Sequence, residues 1–157
     1  MAGRARSFTK IVVSLVDTNI LVHRCDPRDP AKGECARAVL RRGEAAGDLR
    51  IAHQSLVEFV NSVIRSHGTE SPLMTCADAT RQAELFMAEF PVLDPNQHVF
   101  RTALRGMAAY RLSWCDAHLW AYAEHYAIPE IVSEDFEHER MYGTVRIRNP
   151  FVKLGLA

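Results

Sequence analysis

Four acidic residues stand where a strand gives way to a loop or a helix: Asp17, Glu58, Asp116 and Asp135. Asp17 closes the apolar run Ile11 to Val16 and opens Asp17-Thr18-Asn19. Glu58 falls in the expected first turn of a helix after a second strand. Asp116 falls in the first turn of a helix starting at Trp114. Asp135 follows Ser133 and Glu134 directly after a later strand. In open parallel sheets, chemistry gathers beyond the carboxyl ends of the strands, so the four are expected to meet at one rim. Gathered carboxylates repel and raise one another's pKa. A hard divalent cation relieves that repulsion, and Mg²⁺ or Mn²⁺ takes oxygen ligands while keeping some waters. Such an ion polarises a phosphate and activates water for in-line attack. That chemistry needs no histidine, no cysteine and no glycine-rich loop, and the sequence has no P-loop.

Each acid also has a purely structural reading. Ser55 to Glu58 and Ser113 to Asp116 both fit capping boxes. An acid in a first helical turn complements the helix dipole, and Asp17 fits a strand-end turn or N-cap. Two features favour a site. Asp116 shares a helical face with Leu119, Trp120 and Ala123, which turns it towards the core, where an unpaired charge is costly. Glu58 shares a face with Asn61 and Ser62, a small polar strip suited to a groove. A phosphatase with Asp17 as nucleophile is disfavoured, because that chemistry wants a second acid where Asn19 stands.

The elements that must position these residues alternate between apolar runs and helical periods, the signature of an α/β domain. Ile11 to Val16 is a β-branched run suited to a strand buried on both faces. Helices are expected over Ala31 to Ala46, Leu56 to Arg65, Cys76 to Phe90, His98 to Tyr110 and Trp114 to Tyr126. The fourth of these should turn Phe100, Ala103, Leu104 and Met107 inward. Strands are expected at Leu49 to Ala52, Val92-Leu93, Ile131 to Ser133 and Thr144 to Arg148. The sum is a three-layer α/β/α domain with a central, mostly parallel sheet. Residues 1–10 read as a basic N-terminal extension and 11–157 as a single domain.

Composition narrows the classes. The chain has 157 residues, 48% hydrophobic and 24% charged, enough for an ordinary core without staples. Lys and Arg balance Asp and Glu at 19 each, so the basic excess usual in non-specific nucleic-acid binders is missing. Arg37, Arg41 and Arg42 share one helix near the expected mouth and suit RNA phosphates or a solvated face. Trp114 suits base stacking or closure of the core. The apolar start is too short for a membrane span of roughly 20 residues. Cys25, Cys35, Cys76 and Cys115 form no metal-finger or C-x-x-C pattern, which fits reduced thiols in a cytoplasmic protein.

Taken in order, the motifs resemble those of the PIN domain superfamily, and within it the toxin ribonucleases of VapBC toxin–antitoxin pairs. They are V-D-T-N-I-L (Val16 to Leu21), V-E-F (Val57 to Phe59), S-W-C-D-A-H-L (Ser113 to Leu119), S-E-D-F-E-H-E-R (Ser133 to Arg140) and G-T-V-R-I-R-N-P-F (Gly143 to Phe151). The resemblance implies an endoribonuclease dependent on Mg²⁺ or Mn²⁺, with Asp17, Glu58, Asp116 and Asp135 as metal-binding acids. It also implies Asn19 as the orienting Asn and Ser133 as the hydroxyl beside the last acid. An RNA substrate, a VapB-type antitoxin and a homodimer belong to the same expectation. The alternative is a non-catalytic PIN-like module that binds RNA or a partner; such modules usually lose an acid, and here all four remain.

Overall fold

The computed structural model describes residues 11–68 and 70–155; the basic extension over residues 1–10 lies outside them. The first strand, β1 (Ser14–Val16), is shorter than the apolar run suggests. Ile11 and Val12 are exposed, and pairing starts at Ser14. Helix α1 (Thr18–Cys25), which the sequence pattern did not reveal, follows at once with Asp17 as its N-cap. Helix α2 (Pro30–Ala46) starts with proline in its first turn, where a missing N–H costs nothing. It stops at Gly47, whose φ of 67° suits a residue without a Cβ. Strand β2 (Leu49–Ala52) runs directly into α3 (His53–Val63).

Helix α4 (Cys76–Glu89) is capped by Thr75 and leads to β3 (Val92–Leu93). Helices α5 (Gln97–Tyr110) and α6 (Trp114–His125) pack closely against each other before β4 (Glu130–Val132). A short β5 (Met141–Tyr142), absent from the sequence expectation, returns antiparallel to β6 (Val145–Arg148).

The sheet order is β3-β2-β1-β4-β6-β5, with every pairing parallel except β5 with β6. Alternation along the strands divides the core into two. Leu15, Ile131 and Ile147 pack towards α5 and α6, whereas Val16, Ile51 and Val132 pack towards α1 to α4. The three-layer α/β/α arrangement follows. The chain leaves β1 towards β2 and β3, then returns to place β4 on the other side of β1. That reversal opens a crevice between the carboxyl ends of β1 and β4.

The inward face of α5 differs from the expected one. Val99, Thr102, Ala103 and Gly106 are buried, whereas Phe100, Leu104 and Met107 are exposed. The cause is close packing with α6. A Cβ on Gly106 would come within 2.6 Å of the Trp120 ring, so the narrow side of α5 must face inward. Among the described residues, no helix is long and apolar enough to cross a membrane, and all four cysteines are free thiols.

Candidate active site

Asp17 leaves β1 at the crevice and caps α1. Its Oδ1 accepts from the Thr18 amide at 2.6 Å. Its Oδ2 accepts from Ser133 Oγ at 2.6 Å and from Asn19 Nδ2 at 3.0 Å. Asn19 is one helical step further on, and its Nδ2 also donates to Ser133 Oγ and Asp135 Oδ2, each at 3.1 Å. Ser133, fully buried beyond β4, accepts from the Asp135 amide at 3.1 Å as well. One hydroxyl and one amide therefore lock the β1 and β4 ends together and aim two acids at the same opening.

Glu58 arrives from α3. This helix starts at His53, so Glu58 sits in the second turn rather than the first. The expected capping box is not formed: Ala52 is the N-cap, and Ser55 Oγ donates across to the Val16 carbonyl at 3.3 Å. That bond clamps α3 to β1. Glu58 is then fixed by Thr18 Oγ1 at 2.9 Å and Gln54 Nε2 at 2.7 Å. Thr18 and Gln54 have no signature of their own in the sequence. At α6 the serine half of the expected capping box forms, with Ser113 as N-cap and Asp116 in the first turn. The Asp116 amide donates to Ser113 Oγ at 3.2 Å, and the Ser113 hydroxyl donates back to Oδ2 at 2.7 Å.

Asp17, Glu58, Asp116 and Asp135 all line one cleft of about 420 Å³, with Thr18, Asn19, His23, Ser62, Cys115 and Glu134 among its other walls. Burial pushes the Asp17 carboxyl up to about 7, partly offset by its bonds from Ser133 and Thr18 and reinforced by the charges of Asp135 and Asp116. Burial likewise raises Asp116, with Asp135 and Glu58 adding to it. Burial beside Glu58 lifts the Cys115 thiol to about 11, which disfavours its thiolate at neutral pH. The cleft disfavours its own negative charge and would gain from a cation.

Several observations bear on whether a divalent cation fits. The donor set is all oxygen, which suits a hard ion. Asn19 Oδ1 is buried without a hydrogen-bond partner among the described residues. Glu58 and Asp116 are held by their own neighbours, and no three His, Cys, Asp or Glu among the described residues form a ready-made ligand group. The acids thus share a cleft without a preformed coordination shell, and the chemistry of the donors is what fits.

The basic residues near the cleft are not those the sequence suggested. Arg37 and Arg41 line a separate cavity with Arg24 and Glu44, and Arg42 pairs with Asp48. None of the three lines the acidic cleft. Instead, Lys32 in the first turn of α2 and His23 in α1 each reach Glu134 at 2.5 Å. Glu134 is consequently a bonded, largely buried wall residue. His138 lies apart, accepting from the Asn149 amide.

Similar folds occur among solved toxin–antitoxin structures. A VapBC2 complex of Rickettsia felis bound to a promoter DNA fragment aligns over 88% of this chain and 98% of its own, at 11% identity and TM-score 0.65. DNA-bound VapBC of Salmonella typhimurium aligns over the same shares, at 14% identity and TM-score 0.66. VapC20 of Mycobacterium tuberculosis, a sarcin–ricin-loop-cleaving toxin, aligns over 75% of this chain and 86% of its own, at 16% identity and TM-score 0.57. At such identities the likeness speaks for the fold alone. Curated protein sequences give no match. The sequence pattern of the PIN domain, however, matches residues 14–143, a span that takes in β1, the crevice and all four acids; the chain belongs to the PIN domain family.

Proposed function

We propose that this PIN domain is a metal-dependent endoribonuclease of the VapC type, the toxin of a toxin–antitoxin pair. The observation that carries the proposal is Asp17, buried at the sheet's reversal point with its pKa raised, in a cleft that three further acids line. Asp17, Glu58, Asp116 and Asp135 would hold Mg²⁺ or Mn²⁺. The chemistry supplied by such an ion when bound is polarisation of a phosphodiester and a lowered pKa for the attacking water. The chain's own part is positional. Ser133 and Asn19 fix the two acids of the β1–β4 crevice, and Thr18 and Gln54 fix Glu58. The four acids line the same cleft, where a phosphodiester of a single strand would meet their oxygens.

A VapB-type antitoxin is the matching partner, as the VapBC complexes with this fold suggest. A guanidinium from its chain would make forked contacts with the same carboxylates. A homodimer belongs to the same reading, and sedimentation equilibrium of the free chain tests it. The alternative of a non-catalytic binding module is separated by one experiment. Purified protein is offered single-stranded RNA with Mg²⁺ or Mn²⁺, then with chelator. Cleavage is expected only with metal, and Asp17→Asn or Asp116→Asn should lower it by at least about a hundredfold with an unchanged circular dichroism spectrum. Cleavage that survives chelator and Asp17→Asn would remove this proposal.

A further inference from the structure

A second, shallower cavity of about 260 Å³ adjoins the acidic cleft and shares Glu58 and Cys115 with it. Its remaining walls are His53, Gln54, Val57, Pro95, Trp114, His118 and Tyr122. Trp114 does not close the core. At the α6 N-terminus its side chain stands at the surface, and the residue is 37% exposed. The indole stacks on His118, with ring centres 5.3 Å apart and planes 20° from parallel, and Phe100 buttresses it edge-on at 5.2 Å. His118 leans in turn on the buried Tyr122 at 5.4 Å. An exposed indole held rigid by its neighbours is a ready stacking platform.

The wall beneath the platform has unmet hydrogen-bonding capacity. Gln54 Nε2 is committed to Glu58 and the Cys115 carbonyl, which leaves Gln54 Oε1 buried and without a donor among the described residues. Tyr122 Oη, beside the Gln54 backbone amide, is likewise buried with no hydrogen-bond partner of normal geometry among the described residues. Unsatisfied buried polar atoms are costly, and a ligand that offers a donor and an acceptor on one edge relieves the cost after a small side-chain adjustment. Planar, aromatic and carrying both groups on its edge, a nucleobase matches platform and wall together.

We infer that Trp114, His118, Gln54 and Tyr122 form a nucleobase subsite, which receives the base of a nucleotide next to the phosphate lodged at the four acids. The inference rests on the ribonuclease reading and extends it from chemistry to sequence preference. Glu58 is the shared wall, and Gln54 touches both compartments. A base seated on Trp114 would therefore fix the register of the strand across Asp116 and Glu58.

The test is fluorescence titration of the full chain with short single-stranded RNAs, in Ca²⁺ in place of Mg²⁺ under conditions that yield no product. Trp120 is buried and donates to the Tyr142 carbonyl, so Trp114 is the reporter. RNA should quench the emission. Trp114→Phe should abolish the quench yet keep most of the affinity, whereas Trp114→Ala should weaken binding about fivefold to a hundredfold. An RNA with an abasic nucleotide at the position next to the cut should bind wild type and Trp114→Ala alike. In Mg²⁺, Trp114→Ala should raise KM, leave kcat nearly unchanged and flatten the base preference at the cut. RNA binding and cutting that ignore Trp114→Ala would overturn the subsite alone. So would a change of oligomeric state with no change in RNA affinity, which would assign the platform to a second copy. Failure of wild type to bind any RNA would overturn both the subsite and the ribonuclease reading.

Discussion

Ser133 Oγ donates to Asp17 Oδ2 across 2.6 Å, and these two buried residues stand at the ends of neighbouring parallel strands, 116 positions apart in the chain. The same oxygen accepts from Asn19 and from the Asp135 amide. Ser133 is therefore the joint through which the β1 acid and the β4 acid keep a common geometry. A hydroxyl suits this place because it donates to one group while accepting from others.

Ser133→Ala should accordingly do two things. It leaves one Asp17 oxygen short of a donor and the Asp135 amide short of an acceptor, at a cost of about 1–3 kcal/mol in folding stability. It also releases Asp135, so kcat for RNA cleavage should fall about 10- to 100-fold, the usual range for outer partners of metal-binding acids. Urea unfolding and steady-state cleavage measure the two effects. A variant as stable and as active as wild type would deny Ser133 this role.

The Asp17 carboxyl gives metal-free stability a definite slope with pH. Its folded pKa of about 7 lies above the ordinary 3.8, so between these values the folded state holds a proton that the unfolded state has lost. Stability then falls as pH rises. The contribution is fully present below about 4 and lost above about 7, with an upper limit of about 4 kcal/mol. Glu130 and Glu134, held below their usual range after burial is outweighed by Arg148, Ser14 and Arg146 in one case and by Lys32 and His23 in the other, slope the opposite way, but only below about 4.5. Chemical unfolding in chelator from pH 5 to 8 should therefore show wild type losing stability relative to Asp17→Asn. Parallel profiles for the two proteins would contradict the assignment.

Much of this architecture is written in local signals. Gly47-Asp48 ends α2, Thr75 opens α4 and Ser113 opens α6, and each acts through backbone conformation or a cap within four residues. Asp17, Asp116 and Asp135 were legible for a similar reason, since each follows the end of an apolar run or a capping residue, whereas Glu58 was read through a capping box at Ser55 that does not form. What stayed hidden depends on partners distant in sequence. Thr18 and Gln54 become site residues only because α1 and α3 pack together beside β1. Helix α1 is just eight residues long with Ile20 and Leu21 buried side by side, so its apolar pattern merges with that of β1. The true inner face of α5 was decided by Trp120 against Gly106, which no periodicity within α5 announces.

Lys32 and His23 show the same limit, and they lead to a further expectation. Glu134 lies between the acidic crevice and the start of α2, bonded to Lys32 Nζ on one oxygen and His23 Nε2 on the other. Lys32 also lies over the Phe151 ring at 5.3 Å, and His23 meets that ring edge-on at 5.1 Å. These side chains are about four-fifths buried, so the pair is not an exposed bridge of negligible worth. Removing one member strands a charge in poorly solvated surroundings. Lys32→Met keeps the aliphatic stem over Phe151 but deletes the cation, and it should cost about 1–3 kcal/mol. Glu134→Gln alone should cost less, because the amide still bonds and Lys32 can turn towards water. In the double variant the stranded carboxylate is gone, so its loss should be smaller than the sum of the two single losses by about 1 kcal/mol. Urea unfolding of the four proteins at pH 7 closes the cycle. Additive losses would mean that Lys32 acts on Phe151 by packing alone, leaving Glu134 held by His23 only.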